Sequence, residues 1–416
     1  MRNIKYYKLD NGLRLVFEEI PYVRSVSLGV WINVGSRMEN DKNSGMAHFI
    51  EHMLFKGTTN RTSKKISNDI DYYGGNINAF TTHDHTCYHV KMPSNHIDRG
   101  IEVLGDIIKN SVFDVNDIEK EKVVISEEIK MYEDSPEDYV YEELLKKVYD
   151  NKGIGRNVLG SIESISLFDR ESIKEFFDKN YIPNNSVIVV SGNFVYEDLL
   201  EKISRNFSDW SYRDYSNVRE SHEFKKVKFI KNREDEQSNI AIIFQCPDDS
   251  VYKDFIAVKL LGNILGNSPS SRLFQKIREE RGLTYNIYSA DNFYVGEAEF
   301  GIYSSMASEN LLEVYNLIMD EIKDLRENYI TNEELTFAKE QYKGSVIMNI
   351  EDTEDRMLYI GEYEVDDSRI KEIDEVISVV DDIDMKYMEG IIDRIFRGSM
   401  SLGITGKNAE EIMLGV

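Results

Sequence analysis

Residues 114–138, DVNDIEKEKVVISEEIKMYEDSPED, return later in the chain as residues 331–355, TNEELTFAKEQYKGSVIMNIEDTED, with about one residue of slip. Both segments have a capped acidic start, a long helical stretch and the stop E-D-[ST]-[PE]-[ED]. Such an echo predicts two copies of one αβ unit, with two similar helices arising by chance as the alternative. The chain has 416 residues, 41% of them hydrophobic, enough for two domains of about 200 residues or three of about 150 to bury cores. The polar run from Ser211 to Glu223 reads as a linker, and the cut falls there, giving domains 1–215 and 216–416.

The order of elements in the two parts agrees with repetition. Leu13 to Val34 clusters Val, Leu, Phe and Trp around turn signals at Asn11-Gly12 and Pro21, which predicts strands. A short helix is expected at about 45 to 55, capped by Asn43 or Ser44 and ended by Gly57. Beyond Gly74-Gly75, NINAFTTHDHTCYHVKM predicts two strands joined near His83-Asp84-His85. Helices follow over 97–110, 116–132 and 137–149, another lies near Ile173, and SVIVVSGNF from Ser186 is a buried strand. After the linker the same order returns: a strand at NIAIIFQC, helical segments across 253–280, aromatic strands from Tyr285 to Tyr303, and two helices beyond Asn310.

Composition removes several function classes. Lys and Arg total 50 against 75 Asp and Glu, a formal net charge of −25, so the net-basic footprint that nucleic acid or an anionic membrane requires is missing. No segment approaches the 18 or so consecutive apolar residues of a membrane helix, and the start, MRNIKYYKLDNGLRLVFEEI, does not read as an export leader. Cys87 and Cys246 stand far apart and outside any CxxC pattern, which suits a reducing compartment. A cytoplasmic protein is expected, and any metal in it must sit on His and carboxylate.

The strongest chemical signal is GMAHFIEHMLF, in which His48 and His52 flank Glu51. A helix turns about 100° per residue, so positions four apart lie about 40° from each other and two imidazoles can grip one ion from adjacent turns. Glu51 projects about 60° to the other side of His48 and can reach a water at the ion without binding it. This H-x-x-E-H order is the reverse of H-E-x-x-H and is a metalloprotease signature. A half-buried helix with two surface histidines is the plain alternative. A third protein ligand is needed, and Glu128 presents itself on the helix 116–132, sharing a face with Glu121, Ile125 and Tyr132 while Glu127 lies about 100° away. Glutamates seven apart on an acidic helix also suit an ordinary solvated face.

SGMAHFIEHMLFKGT, the NAFT of Asn78 to Thr81, and EKEKVVISEEI together resemble the pitrilysin family of zinc peptidases, and most of all its short bacterial members similar to the mitochondrial processing peptidase β subunit. The resemblance spans the whole chain. It implies an α+β fold of two similar domains, each a mostly antiparallel sheet with helices packed on one face. It implies one zinc ion per chain on His48, His52 and Glu128, the last selected over Glu127 by its separation from His52. Glu51 is then the general base and Glu121 an auxiliary carboxylate behind the ligands. The edge strand with Asn78, Ala79 and Phe80 is implied to pair with extended substrate, although the residues alone allow a closed internal strand.

The second copy has NSPSSRLFQKIREERGLTY where the first has its histidine helix, and Ser345 or Val346 where the first has Glu128, so the metal belongs to the first domain alone. By resemblance the degenerate copy binds substrate through Arg278 and Tyr285, seven apart in REERGLTY. The guanidinium can fork onto a carbonyl or carboxylate and the phenol can donate to an oxyanion. An arginine at a helix end and a core strand tyrosine are the plain alternative. His83, His85 and His89 alternate along one strand and could form a second metal site, but solvated polar positions account for them better; His96 and His222 are expected to face solvent.

These readings converge on a zinc metalloendopeptidase that hydrolyses unfolded peptides or short proteins within a chamber formed by a homodimer, Arg278 and Tyr285 serving the site of the other copy. The alternative is a non-catalytic or heterodimeric processing-peptidase-like subunit.

Overall fold

The computed structural model describes residues 4–414, apart from 216–218, 220, 221, 249, 350 and 367–369, so part of the expected linker lies outside the described residues. The chain opens with β1 (Ile4–Lys8), β2 (Arg14–Glu19) and β3 (Ser25–Ile32). Next come α1 (Met46–Leu54), α2 (Ser63–Asp71) and the hairpin of β4 (Asn76–Thr81) and β5 (Thr86–Pro93). The helices α3 (Ile97–Asn110), α4 (Val115–Asp134) and α5 (Pro136–Val148) follow, then α6 (Ile162–Ser166), α7 (Arg170–Asn180), β6 (Ser186–Gly192) and α8 (Tyr196–Phe207).

The order repeats in the second half. There β7 (Lys228–Asn232) and β8 (Gln237–Gln245) lead to α9 (Tyr252–Leu265), a π-helical turn at Phe274–Glu279, and the hairpin of β9 (Thr284–Tyr294) and β10 (Glu297–Ala307). The helices α10 (Leu311–Asn328), α11 (Asn332–Asn349), α12 (Thr353–Val365), α13 (Ile373–Asp382) and α14 (Met385–Phe396) precede β11 (Met400–Gly406) and α15 (Ala409–Ile412). One sheet runs β1-β2-β6-β3-β5-β4 and the other β7-β11-β8-β10-β9. With β1 set aside the two orders are the same, and both have one parallel pair, β2 with β6 and β7 with β11, among antiparallel ones. The echo between 114–138 and 331–355 falls on α4 and α11 and the starts of α5 and α12.

Two compact units result, and neither is a single stretch of chain. The first consists of Met1–Ile129, Arg156–Arg219 and Met348–Ile370; the second of Lys130–Gly155, Glu220–Ile347 and Lys371–Val416. In the first unit, Leu28 and Val30 of β3 and Ile188 and Val190 of β6 meet Phe49 and Ile50 of α1, Ile101 and Leu104 of α3 and Ile203 of α8. Their neighbours Val16, Trp31, Val187 and Val189 point to the opposite face, where α12 lays Met357, Ile360 and Val365 on them. Strands buried on both faces read as unbroken apolar runs, as SVIVV does. Each of the three α12 side chains contributes about 1.5–3 kcal/mol by leaving water. A Cβ on Gly361 of α12 would lie 2.0 Å from the Trp31 ring, so only glycine allows the helix this close. Arg356 forks onto the fully buried Glu18, with Nη2 2.7 Å from Oε1 and Nε 3.0 Å from Oε2, and Ser191 Oγ donates to the same carboxylate.

In the second unit, α9, α10 and α14 cover one face of the sheet through Leu260, Ile318 and Ile392, among others. There α5 takes the other face, placing Val140, Leu144 and Leu145 on Ala241, Ile243 and Tyr303. Besides its layer of helices, each sheet thus carries one long helix on its second face.

Candidate metal centre

Helix α1 is preceded by Gly45 at its N-cap position, whose φ of +88° is open to glycine and strained for other residues. Its N-terminal cap comes from neither Asn43 nor Ser44. Glu39, six residues before Gly45, reaches back so that Oε2 accepts from the Gly45 amide at 2.6 Å and Oε1 from the Ala47 amide at 2.8 Å. The two oxygens satisfy orphan donors at the helix start, while burial pushes the Glu39 carboxyl up to about 8 against the pull of these hydrogen bonds and of Arg156, so its acceptors rather than its charge make the cap. At the other end the cap is Phe55, in the ordinary helical region, and Gly57 lies two residues beyond it. Between these ends the helix is buried on most sides, with His48 enclosed and Glu51 and His52 half-buried.

The histidine rings stand side by side, centroids 4.5 Å apart. Across from them, α4 presents Glu128. His48 Nε2 and His52 Nε2 lie 4.0 and 3.8 Å from the same oxygen, Glu128 Oε2, and the three ligand atoms fall within 4.8 Å of one another. These distances are too long for hydrogen bonds. Ligand atoms about 2.0–2.2 Å from a tetrahedral ion lie roughly 3.4 Å apart, so small side-chain rotations bring the set to that spacing. Two imidazoles and one carboxylate are a donor set that suits zinc. No other His/Cys/Asp/Glu group among the described residues converges in this way. Glu127 is on the exposed side of α4.

Electrostatics treat the two histidines differently. Burial, helped by the neighbouring His52, pushes His48 down to about 3, so it is neutral and its Nε2 lone pair is available. Behind His52, Nδ1 lies 2.7 Å from Glu121 Oε1, and the other oxygen of Glu121 lies 2.6 Å from Lys56 Nζ. Burial by itself would raise Glu121, but hydrogen bonds from His52 and Lys56 hold its carboxyl below the usual range. Burial likewise opposes charge on His52, yet the Glu121 hydrogen bond and the charges of Glu121, Glu51 and Glu128 lift it above the usual imidazole range. With Nδ1 directed at Glu121, Nε2 is the nitrogen turned toward Glu128. Burial raises Glu51, against the pull of a hydrogen bond from Thr81 Oγ1 to Oε2 at 2.6 Å.

The strand with Asn78, Ala79 and Phe80 is β4, at the end of its sheet, where it pairs with β5 on one side. Asn78 is exposed, Ala79 packs beside the core under α1, and Phe80 faces the other way, its ring 5.6 Å from that of Trp31. In the second unit, Arg278 lies on the π-helical turn and Tyr285 near the start of β9. The guanidinium sits 4.7 Å from the Phe274 ring and 5.8 Å from the Tyr285 ring, and Tyr285 is 78% exposed, so it is no core tyrosine.

The remaining histidines are occupied separately. They are not the solvated positions expected: His85 and His89 are buried and His83 half-buried, His83 Nδ1 lying 2.9 Å from Ser36 Oγ, His85 packing on Trp31 and His89 pairing with Glu354 of α12 at 3.1 Å. His96, expected to face solvent, is half-buried and stacks on Tyr73. His222, expected to face solvent, is half-buried instead and packs against Gly153, where a Cβ would meet its ring at 2.5 Å. Sequence reasoning missed Glu39, Lys56 and Thr81. The only local signal for any of them was an acid shortly before an apolar helix and a lysine just after it.

Residues 14–161 match the family model described as Insulinase (Peptidase family M16), and residues 168–342 match Peptidase M16 inactive domain. The chain is 35% identical over 404 residues to a protein of Bacillus subtilis named uncharacterized zinc protease YmxG, covering 96% of this chain and 98% of that one. It is 33% identical over 406 residues to an uncharacterized zinc protease of Rickettsia felis, covering 98% of both. Among solved structures, a protease from Helicobacter pylori superposes with a TM-score of 0.91 at 21% identity over 98% of this chain and 100% of that one. A peptidase M16 inactive domain from Pseudomonas fluorescens superposes with a TM-score of 0.89 at 18% identity over 97% and 98%. The two solved structures establish the shared two-domain α+β fold. Matched in order by both family models, and to relatives over almost its full length, this chain belongs to peptidase family M16, the pitrilysin family.

Proposed function

We propose that the chain is a zinc metalloendopeptidase acting on unfolded peptides or short proteins. The observation that carries this reading is the approach of His48 Nε2, His52 Nε2 and a Glu128 oxygen to one point beside Glu51. The zinc protease names of the Bacillus and Rickettsia relatives agree with it. Bound by His48, His52 and Glu128, zinc would polarise the scissile carbonyl and make water a competent nucleophile near neutral pH. Glu51 takes the proton from the attacking water and delivers it to the leaving nitrogen. Its raised affinity for protons suits a group that must both accept and release one. Glu121 orients His52, and the outer edge of β4, unpaired among the described residues, offers backbone groups to an extended substrate with little demand on its sequence.

The proposal extends to a homodimer in the cytoplasm, in which the Arg278 and Tyr285 of one copy serve the centre of the other. The exposure of Tyr285 beside Arg278 supports a role in contacting something outside its own fold. Mixing a Glu51→Gln chain with an Arg278→Ala chain tests the sharing: activity regained in the mixture supports it, and silence from proven mixed dimers removes it. A non-catalytic role is disfavoured because Glu51 stands beside a complete donor set. Metal analysis with peptide digestion by wild type and Glu51→Gln decides the main reading. Zinc retained with cleavage lost in the variant establishes Glu51 as the base; equal cleavage by the two chains sinks the mechanism.

A further inference from the structure

The best-placed side chain near the donor set that the mechanism above does not use is Thr81. It is the last residue of β4, and its hydroxyl donates to Glu51 Oε2 at 2.6 Å. A glutamate on a helix has three rotatable bonds and, left alone, spreads its carboxylate over several rotamers. The Thr81 hydrogen bond ties down one oxygen, so Oε1 is the atom left to exchange a proton with substrate or water. Thr81 also shares the β4 face of Ile77 and Ala79, which pack beside the core under α1. Asn78, Ala79 and Phe80 immediately precede it on the outer edge of β4, where no strand pairs with it among the described residues. A peptide added to that edge would be held by the same strand that holds the base, about 10 Å or less along the backbone from Thr81.

We infer that Thr81 is a positioning residue that fastens the Glu51 carboxylate to the substrate-pairing strand, fixing the distance between the base and the bond it serves. The inference rests on the peptidase reading given above. It predicts loss in kcat with little change in KM, since pairing to the edge uses backbone groups that Thr81 substitutions leave in place.

Two substitutions separate positioning from packing. Thr81→Val keeps the shape and removes the hydroxyl, whereas Thr81→Ser keeps the hydroxyl and removes a methyl group. Positioning predicts that Thr81→Val loses tenfold or more in kcat, with KM within about twofold and zinc content unchanged, and that Thr81→Ser stays within about threefold of wild type. The reverse order, serine worse than valine, or full activity in the valine chain, overturns it. A readout that needs no catalysis guards against failure of the peptidase reading itself. In the zinc-free chain the thermal midpoints of Thr81→Val, Glu51→Ala and the double variant form a cycle. A double variant that loses less than the sum of the two singles shows that Thr81 acts on Glu51 even if no peptide is cleaved; additive losses overturn the assignment.

Discussion

Nδ1 of His52 is 2.7 Å from Glu121 Oε1, and the opposite oxygen of that same carboxylate is 2.6 Å from Lys56 Nζ. The buried Glu121 is thereby held between a cation and a ligand histidine, and the orientation of His52 depends on a lysine four residues further along the chain. A carboxylate behind a ligand imidazole fixes its orientation and raises its basicity, and its loss usually costs 10- to 100-fold in metal affinity. Glu121→Gln is therefore expected to weaken zinc binding by about that factor. Lys56→Met should produce a smaller loss in the same direction. Competition with a chromophoric chelator measures both, and zinc affinity indifferent to either substitution would remove the relay.

Glu39 closes the N-terminus of α1 with both carboxylate oxygens, three positions before the first histidine at Gly45 and one before it at Ala47. Replacing it by alanine leaves two buried amides without acceptors, each worth about 1–3 kcal/mol. Glu39→Ala should lower the thermal midpoint by several degrees and weaken zinc retention together, because the first turn that frays carries His48. Glu39→Gln, which keeps one acceptor, should fall between. A variant that melts like wild type while losing zinc would place the effect elsewhere.

How far the sequence reached depends on how local each determinant is. The helix 97–110 and the hairpin turning at His83 to His85 were legible because 3.6- and 2-residue periodicities and turn residues act within a few positions. His48, Glu51 and His52 were legible for the same reason, since their geometry is that of one helix. Glu128 needed a second helix, and the resemblance chose it over Glu127. Thr81 and Glu39 were not legible, because their partners are set by how a strand and a loop pack on α1. The destination of α12 was hidden too: Met357, Ile360 and Gly361 form an ordinary apolar stripe, and nothing in the stripe says that Trp31, more than 300 residues earlier, is what it covers.

Glu299 should make stability depend on pH. It is fully buried in the second unit, where Oε1 accepts from Tyr141 Oη and Asn292 Nδ2, both at 2.9 Å, beside Tyr294 and Tyr303. Burial pushes it up to about 7, more than the hydrogen bonds from Asn292, Tyr141 and Tyr294 pull it down. The fold thus favours its neutral form. For a carboxyl raised in this way the stabilisation is complete below the ordinary pKa of about 4.5 and is lost as pH rises through about 7. The loss is on the order of 3 kcal/mol at the alkaline end. Glu299→Gln, which stays neutral, should flatten the decline, so the variant gains on wild type by about 2 kcal/mol between pH 5 and pH 8. Thermal unfolding of both chains across that range is the measurement, and parallel curves would show that Glu299 does not titrate there.

The distribution of α12 predicts what happens when the chain is divided. A fragment of residues 1–215 in which Val140, Leu144 and Leu145 of α5, which otherwise cover the second sheet, are changed to glutamate contains the proposed metal ligands and every strand of the first sheet, yet lacks Met348–Ile370, which belongs to the same compact unit. Without α12, the apolar face of Val16, Trp31, Val187 and Val189 meets water, and Glu18 loses both hydrogen bonds from Arg356. Removing one partner of a buried ion pair costs about 3–5 kcal/mol, comparable with much of the stability of a typical domain. The fragment alone should therefore be aggregated or lack fixed tertiary structure, as near-ultraviolet circular dichroism of its tryptophans would report. Co-expression with a segment spanning residues 348–370 should recover a soluble complex. An Arg356→Ala version of that segment should fail, because it would bury the Glu18 carboxylate without its cationic partner, whereas pairing Glu18→Leu with Arg356→Met should restore assembly by replacing the ion pair with apolar contact. A fragment 1–215 that is folded and soluble by itself would show that the sheet does not need α12 for stability.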